Sequence, residues 1–491
     1  MQPGKLALLV TLCCSVLNTG SAVPQSITSV RAGAANLNLG LATDQPIWQL
    51  GTTAAFNVPE SGGANPFDPL LHVFDATTGE VRNLGLTRVA HLFMNGRLVV
   101  FWASEVSRDL NGDGDMFDNV LHVYDTARRS LTNLRLASAF GDSTTDTILF
   151  DGQRLAFSVG EESQNQELNR DRDQVDSVVH LFDVVTGRLQ NTGLAVFGVV
   201  DGTVVQDGRW TVLAVSEGVG SGSGQSRDLS GDGDVTDVVL HAFDTATRRV
   251  TNLRVALNFL PFQFGFRVGN GEGLVAVPEA EQGADLNGDQ DLNDVVLHNV
   301  DLSSGRVRNT RIGIAVDGDS SLAVFTRLLV QEGLGLFSRL ETEVGRDLNG
   351  DGDKNDAILH LLRTRTGQLR SLNLAASIFP TESSSGRVLL DVSEQDNGKD
   401  LNGDGVQVGT VLALADLSGN EPRVVNTGRR ASRASNGDDV TTTFPSADPF
   451  ALQIQDDRVT FIVSEAVESN RDLNAMATRT TSCCTSQICP P

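Results

Sequence analysis

The chain has 491 residues and a formal net charge of −24, a balance that excludes nucleic acid as a partner because such a partner needs a basic face. Beyond residues 6–17 no apolar run approaches the roughly 20 residues that a bilayer-spanning helix requires, so no transmembrane segment is expected. Of the five cysteines, Cys13 and Cys14 lie inside that run, and Cys483, Cys484 and Cys489 lie in the last nine residues, so the body of the chain depends on no disulfide.

In chain order, Met1 to Lys5, the apolar run 6–17 and the small residues Gly20-Ser-Ala22 read as a secretory signal peptide cut near Ala22, which places the mature protein outside the cell or in the envelope. No small residue precedes Cys13 or Cys14 as a lipoprotein signal would require. Residues 23–35 form a linker, and Leu37-Asn-Leu-Gly-Leu-Ala42 is the first strand.

From there to residue 474 one pattern recurs. An apolar run ends in Glu, as in 97–105 (Arg-Leu-Val-Val-Phe-Trp-Ala-Ser-Glu) and 154–161, and again at Glu217 and Glu394. An acidic loop follows, then Val120-Leu-His-Val-Tyr-Asp125 or its echoes, then a turn, then a short run such as Thr132-Asn-Leu-Arg-Leu-Ala137. These runs are short, rich in Val, Phe and Thr, and bounded by Gly, Asp and Asn, which is strand chemistry. Four antiparallel strands per unit (A to D from the inside outward) leave two faces and two edges exposed unless units pack radially. The expected fold is therefore all-β, a β-propeller. Strand B occurs eight times and the strand C motif seven times, which predicts eight four-stranded blades closed by both chain ends, with seven as the alternative. The C strand of the last blade is missing or unrecognisable in the tail 475–491.

The acidic loops carry the chemistry. Four are nearly identical: Asp109-Leu-Asn-Gly-Asp-Gly-Asp-Met-Phe-Asp118, and the loops 228–237, 285–294 and 347–356. Oxygen-bearing side chains fall at loop positions 1, 3, 5, 7 and 10. They are Asp109, Asn111, Asp113, Asp115 and Asp118; Asp228, Ser230, Asp232, Asp234 and Asp237; Asp285, Asn287, Asp289, Asp291 and Asp294; and Asp347, Asn349, Asp351, Asp353 and Asp356. A hard cation such as Ca2+ takes six to eight oxygens, and alternate residues of a tight turn can aim theirs at one centre. Two further copies are degenerate: 167–176 has Arg170 and Arg172 where glycines are expected, and 400–406 loses its later acids. Loop starts at 109, 167, 228, 285, 347, 400 and 472 give a period near sixty, the mark of an array of supersecondary units.

The order Asp-Gly, Arg-Leu-Val-Val-Phe, Leu-His-Val-Tyr-Asp, Thr-Gly and Leu-Thr-Asn-Leu over residues 36–474 resembles TolB-like and WD40-like propellers. The Asp-Leu-Asn-Gly-Asp-Gly loops resemble the calcium loops of integrin-α-type (FG-GAP) propellers, which implies Ca2+ as the bound ion. The likeness departs at the last acid, which stands at position 10 (Asp118, Asp237, Asp294, Asp356), and the twelfth-position acid of an EF-hand is replaced by Val120, Val239, Val296 and Ile358.

Six histidines, His72, His122, His180, His241, His298 and His360, occupy one position of strand C. They would lie in different blades, so each is expected to bond within its own blade, for example to the Asp three residues on. Glu105, Glu161, Glu217 and Glu394 are either ligands of the adjacent loop or ordinary edge charges. The three tail cysteines leave open one local bridge with a spare thiol for an intermolecular disulfide, or a tail with incidental cysteines. There is no Gly-x-Ser-x-Gly elbow, His-Glu-x-x-His, Walker loop or dinucleotide fingerprint. The expected function is a non-enzymatic, exported, Ca2+-stabilised scaffold that binds a protein or carbohydrate. The alternative is a propeller hydrolase or lyase with its site in the axial channel.

Overall fold

The computed structural model describes residues 47–488 except 60–68, 96, 107, 139–147, 197–198, 200–202, 219–226, 258–264, 315–327, 332, 385, 418–421, 430–451, 456–457 and 465–481. The signal peptide, the linker, the first strand at 37–42 and the closure by both chain ends therefore lie outside the described residues. Two compact units divide the chain, 1–200 with 219–225 and 201–218 with 226–491.

In the first unit three antiparallel four-stranded meanders follow one another. They are β1 (Ile47–Leu50), β2 (Thr53–Val58), β3 (Leu70–Asp75) and β4 (Glu80–Thr87); β5 (Val89–Met94), β6 (Leu98–Ser104), β7 (Asn119–Asp125) and β8 (Ser130–Ala137); and β9 (Leu149–Phe150), β10 (Arg154–Gly160), β11 (Ser177–Asp183) and β12 (Arg188–Ala195). The second unit continues with β13 (Val204–Asp207), β14 (Trp210–Ser216), β15 (Val238–Asp244) and β16 (Arg249–Leu257), then β17 (Phe266–Gly269), β18 (Glu272–Pro278), β19 (Val295–Asp301) and β20 (Arg306–Gly313).

A seven-stranded sheet follows: β21 (Leu329–Gln331), β22 (Leu334–Leu340), β23 (Ala357–Arg363), β24 (Leu369–Ser384), β25 (Arg387–Ser393), β26 (Thr410–Asp416) and β27 (Arg423–Asn426). It is two meanders sharing one strand. The first half of β24 pairs with β23 (Leu369↔Leu362) and the second half with β25 (Ala376↔Val392). Two single-turn helices, α1 (Glu279–Gln282) and α2 (Glu341–Val344), follow β18 and β22. Among the described residues no helix is long and apolar enough to cross a membrane.

The last sheet orders β28 (Leu452–Gln455), β29 (Arg458–Ser464) and β30 (Ser482–Ile488). Here the sequence reading is corrected. The third strand of this blade is present, and the stretch assigned to the tail supplies it, with Ser464 opposite Ser482 and Arg458 opposite Ile488. A Ser/Thr/Cys run lacks the apolar Leu-His-Val-Tyr-Asp pattern by which the other third strands are recognised. Cys483 and Cys484 thereby lie on a paired strand. Counting the shared sheet as two, eight sheet units stand among the described residues.

Side chains alternate between the two faces of a strand, and here both faces are buried. Val99, Phe101 and Ala103 of β6 pack on Leu71 and Val73 of the preceding sheet, while Leu98, Val100 and Trp102 pack on Leu155, Phe157 and Val159 of the following one. The second unit repeats this: Trp210, Val212 and Ala214 meet Phe266, Val275 and Val277, and Leu274 and Ala276 meet Leu328 and Phe337. Fully burying one such large side chain stabilises by about 1.5–3 kcal/mol. Successive four-stranded sheets stacked face to face, with β1 beside β5 and β13 beside β17 beside β21 along their inner strands, are the blades of a β-propeller.

Candidate metal centres

A buried carboxylate is costly unless its oxygens are satisfied, and the second strand of each repeat runs into one. Glu105, Glu161, Glu217, Glu279, Glu341 and Glu394 are all 0% exposed. One oxygen of each braces the loop that follows. Glu105 Oε1 accepts the N–H of Leu110 and of Asn111 (3.0 Å), Glu279 Oε1 those of Leu286 (2.6 Å) and Asn287 (3.1 Å), and Glu394 Oε1 those of Leu401 (2.8 Å) and Asn402 (3.2 Å). In Glu161, Glu217 and Glu279 the other oxygen accepts a long N–H bond, 3.3–3.4 Å, from Asp176, Asp237 and Asp294. In Glu105 and Glu341, Oε2 is buried with no hydrogen-bond partner.

Within each loop the side chains form a ladder of Asx turns. Asp113 N–H donates to Asn111 Oδ1 (3.0 Å), Asp115 N–H to Asp113 Oδ1 (3.1 Å) and Phe117 N–H to Asp115 Oδ1 (2.9 Å), and loops 285–294 and 347–356 repeat the pattern. Left-handed backbone at Gly112 (φ 92°) and Gly114 (φ 105°) lets the ladder close, a conformation glycine adopts without steric cost.

Among the described residues five groups result, in each of which the ligand atoms lie within 4.8 Å of one another: Glu105, Asp113, Asp115 and Asp118; Glu161, Asp171, Asp173 and Asp176; Glu217, Asp234 and Asp237; Glu279, Asp289, Asp291 and Asp294; and Glu341, Asp353 and Asp356. Asp232 and Asp351 lie against Asp237 and Asp356. The expected positions therefore divide. Those at 5, 7 and 10 converge. The first-position acids turn back on the loop: Asp109 accepts the N–H of Gly112 (2.5 Å) and Gly114 (3.1 Å), and Asp228, Asp285 and Asp347 do the same. At position 3, Asn111, Asn287 and Asn349 direct Nδ2 at Asp118 (3.3 Å), Asp294 (2.5 Å) and Asp356 (3.1 Å), and Ser230 donates to Asp228 (3.3 Å).

Sequence reasoning missed Glu279 and Glu341 and undervalued loop 167–176. The signal was there, since a Glu stands six residues before the loop start at 161, 279, 341 and 394. In loop 167–176, Arg170 (φ 70°) and Arg172 (φ 81°) adopt the left-handed backbone that glycine takes elsewhere, and four acids still converge. In the loop starting at Asp400, Val406 and Gly409 replace the acids at positions 7 and 10, and no group forms there among the described residues.

Crowding raises the proton affinity of the tenth-position acids. Burial, then Asp113, Asp115 and Glu105, push Asp118 up to about 6. Burial and then Asp171 push Asp176 up to about 7, and burial with Asp351 pushes Asp356 up to about 7. The donor sets contain carboxylates and no His or Cys. Buried carboxylate oxygens without hydrogen-bond donors, in an all-oxygen set, fit a hard cation of the Ca2+ type better than zinc, which favours nitrogen and sulfur.

The six strand histidines do not converge. Each donates from Nδ1 to the carbonyl two residues earlier at 2.9–3.1 Å, as His122 does to Val120 and His180 to Val178. The rings of His72, His122, His180 and His360 stack on second-strand phenylalanines, Phe101 and His122 with centroids 5.8 Å apart, while Leu213 and Val275 stand opposite His241 and His298. Bonding within the blade is as expected, but the partner is corrected from the Asp three residues on to a carbonyl. That Asp serves elsewhere: Asp125 accepts from Arg97 Nε (3.1 Å) and from the turn N–H groups of Ala127 and Arg128, and Asp244 pairs with Arg209 (3.0 Å).

Fold and loops together define a β-propeller whose blades carry acidic candidate cation sites between their second and third strands. No protein-family model matches the chain, and no curated protein does. Among solved structures it is similar to the β-propeller domain of the Trilobed protease from Pyrococcus furiosus (9% identity, 77% of this chain, 96% of that chain, TM-score 0.34). It is similar also to TolB from Acinetobacter baumannii (11%, 78% of each chain, 0.25) and to the acylaminoacyl peptidase of Pyrococcus horikoshii (11%, 77% of this chain, 51% of that chain, 0.32). The chain spans about half the length of that peptidase. At these scores the likeness carries no argument about chemistry, and the fold rests on the sheets themselves.

Proposed function

We propose that the chain is an exported, calcium-binding β-propeller that presents an ion-shaped surface to a protein or a glycan. The observation that carries this reading is the buried glutamate set among aspartates, with Glu105 Oε2 and Glu341 Oε2 lacking any donor. Ca2+ bound by Glu105, Asp113, Asp115 and Asp118, and by the corresponding sets of the other loops, supplies the missing positive charge. The Asp-Leu-Asn-Gly-Asp-Gly opening of the loops, which resembles that of integrin-type calcium loops, agrees with it. Asp109, Asp228, Asp285 and Asp347 keep free lone pairs beyond the N–H bonds they accept, and the position-3 amides offer Oδ1 when turned, so both remain available as ligands.

Binding at the loops is supported by what stands beside the acids. Phe117 is 90% exposed, Val175 75% and Met116 51%, all at loop positions 8 and 9. Apolar side chains held out on a metal-shaped loop offer a partner contacts whose geometry depends on the ion.

Thermal unfolding of the exported chain in EDTA, Ca2+ and Mg2+ tests the reading. With Kd on the order of 0.1–1 mM and about 1 mM ion, linkage gives roughly 0.4–1.4 kcal/mol per site. The expected result is a Ca2+-selective rise in Tm, accompanied by EDTA-reversible binding on protein and glycan arrays. An equal response to Mg2+, or none to either ion, overturns it.

A further inference from the structure

The segment that follows each of Glu161, Glu279, Glu341 and Glu394 does more than lead into its own loop. Its second residue comes up to the acidic loop of the preceding blade: Ser163 to loop 109–118, Glu281 to 228–237, Glu343 to 285–294 and Asp396 to 347–356. Main-chain geometry places it there. Asn111 Nδ2 donates to the Ser163 carbonyl at 3.0 Å, and Asn349 Nδ2 to that of Asp396 at 2.5 Å. Gly283 and Gly398, four residues after their glutamates, lie so close to the preceding loop that a Cβ would stand 3.5 Å from Asp232 Cβ and 3.2 Å from Asp351 Cβ.

The third residue fixes the register. Gln164 Oε1 accepts the N–H of Ala137 (2.9 Å), Gln282 Oε1 that of Ala256 (3.1 Å) and Asn397 Oδ1 that of Ala375 (3.0 Å), so three of the four segments are latched to the last strand of the preceding blade. In the fourth Val344 stands at that position, and Arg339 Nε donates instead to the Gly313 carbonyl (3.2 Å). In the segments of Ser163, Glu281 and Asp396 the approach of the second residue is thus imposed by neutral hydrogen bonds, against the repulsion of the acids.

In three of the four cases that second residue is itself acidic. The charge of Glu281 acts on Asp237, that of Asp294 and Asp289 on Glu343, and that of Asp396 on Asp356. Glu343 Oε2 would stand 3.0 Å from a Cβ placed on Gly313, at the end of the preceding blade's last strand. Arg339 also neighbours Glu343. Asp237 is 1% exposed and its Oδ2 has no hydrogen-bond partner, and the same holds for Glu341 Oε2 in the group that Asp396 faces. Ionised carboxylates have no hydrogen to share, and a cation between them removes the repulsion.

We infer that Glu281, Glu343 and Asp396 are metal ligands supplied by the following blade, so that each of these three Ca2+ ions clasps two blades together. The inference rests on the calcium reading above and adds its inter-blade ligands. It also ranks the sites, because loop 109–118 receives only a hydroxyl, from Ser163.

The test is calorimetric Ca2+ titration of the exported chain, comparing wild type, the triple variant Glu281→Gln/Glu343→Gln/Asp396→Asn, and a control, Glu162→Gln, which changes an exposed acid one residue short of the approach. Loss of a tuning ligand costs metal affinity about tenfold or more. Three sites of the triple variant should weaken by that factor while loop 109–118 and the control keep wild-type affinity. In EDTA its Tm should equal or exceed the wild-type value, since repulsion is relieved, and in Ca2+ it should fall below. Unchanged affinities in the triple variant overturn the inference and leave the calcium reading standing, while a wild type that binds no Ca2+ overturns both. An equal loss of Tm in EDTA and in Ca2+ marks a purely structural role and also overturns it.

Discussion

Asn252 Nδ2 donates to the carbonyl oxygen of Leu229 at 2.9 Å and so ties the fourth strand of a blade to the second residue of its acidic loop. The same bond joins Asn133 to Leu110, Asn191 to Leu168, Asn309 to Leu286 and Asn426 to Leu401 at 2.7–2.9 Å. Since the leucine N–H is held by the buried glutamate, the root of these five loops is clamped from both sides. The asparagine gains its reach from a bulge: His241 is opposite Asn252, and Arg254, whose N–H bonds Asn252 Oδ1, takes a left-handed φ of 55°.

Replacing this clamp should loosen the loop without touching a carboxylate. Asn252→Ala removes two hydrogen bonds, to the Leu229 carbonyl and from the Arg254 N–H, a loss of about 1–3 kcal/mol, read as a fall in Tm in EDTA. In Ca2+ the fall should be larger, because a mobile loop binds the ion more weakly. Equal falls in both conditions would show that the loop holds its shape without the asparagine.

The buried glutamates should show opposite signs with and without metal. In Glu341→Gln a neutral amide takes the place of a carboxylate oxygen that has no donor. Its Tm in EDTA is expected to match or exceed the wild-type value, and its Tm in Ca2+ to drop, with affinity at that site lower by about tenfold or more. A variant less stable in EDTA as well would assign Glu341 to bracing alone.

Loop 167–176 carries strain that can be relieved. A non-glycine residue in the left-handed region costs roughly 1–2 kcal/mol, partly offset by the chain entropy glycine adds to the unfolded state. Arg172→Gly should raise Tm slightly. It also removes a positive charge beside Asp171 and Asp173, so Ca2+ affinity at this loop should rise, as titration will measure.

Burial makes His180 pH-sensitive. Desolvation lowers its pKa from 6.5 to about 4, and the bond to Val178 opposes that only in part. The folded state therefore binds the proton less well than the unfolded chain. The resulting stability is fully present above pH 6.5 and is lost as pH falls from there toward 4, on the order of 3 kcal/mol if complete. His180→Gln should flatten the fall in Tm over that window relative to wild type, and an unchanged slope would show that the imidazole is protonated without cost.

Much of this was legible in the residues because it is local. Apolar runs ending in Glu and the Leu-His-Val-Tyr-Asp pattern name the second and third strands, and Gly112 and Gly114 announce the left-handed turns that bend alternate aspartates inward. The Ser/Thr/Cys strand 482–488 was not legible, since it has no apolar face to betray it and is defined only by its partner β29. Loop 167–176 was undervalued because the arginines at 170 and 172 hide a backbone that the neighbouring hydrogen bonds impose.

By itself the sequence determined the repeat, its strands and the acidic loops, because each of these depends on residues within about ten positions of one another. Tertiary structure decided which oxygens meet. Positions 5, 7 and 10 converge while position 1 braces the turn, and His122 turns to a carbonyl instead of Asp125. Glu281 reaches Asp237 from the next blade. These pairings are set by the register of one strand on another and by the stacking of one sheet on the next, and neither is written in the spacing of a single loop.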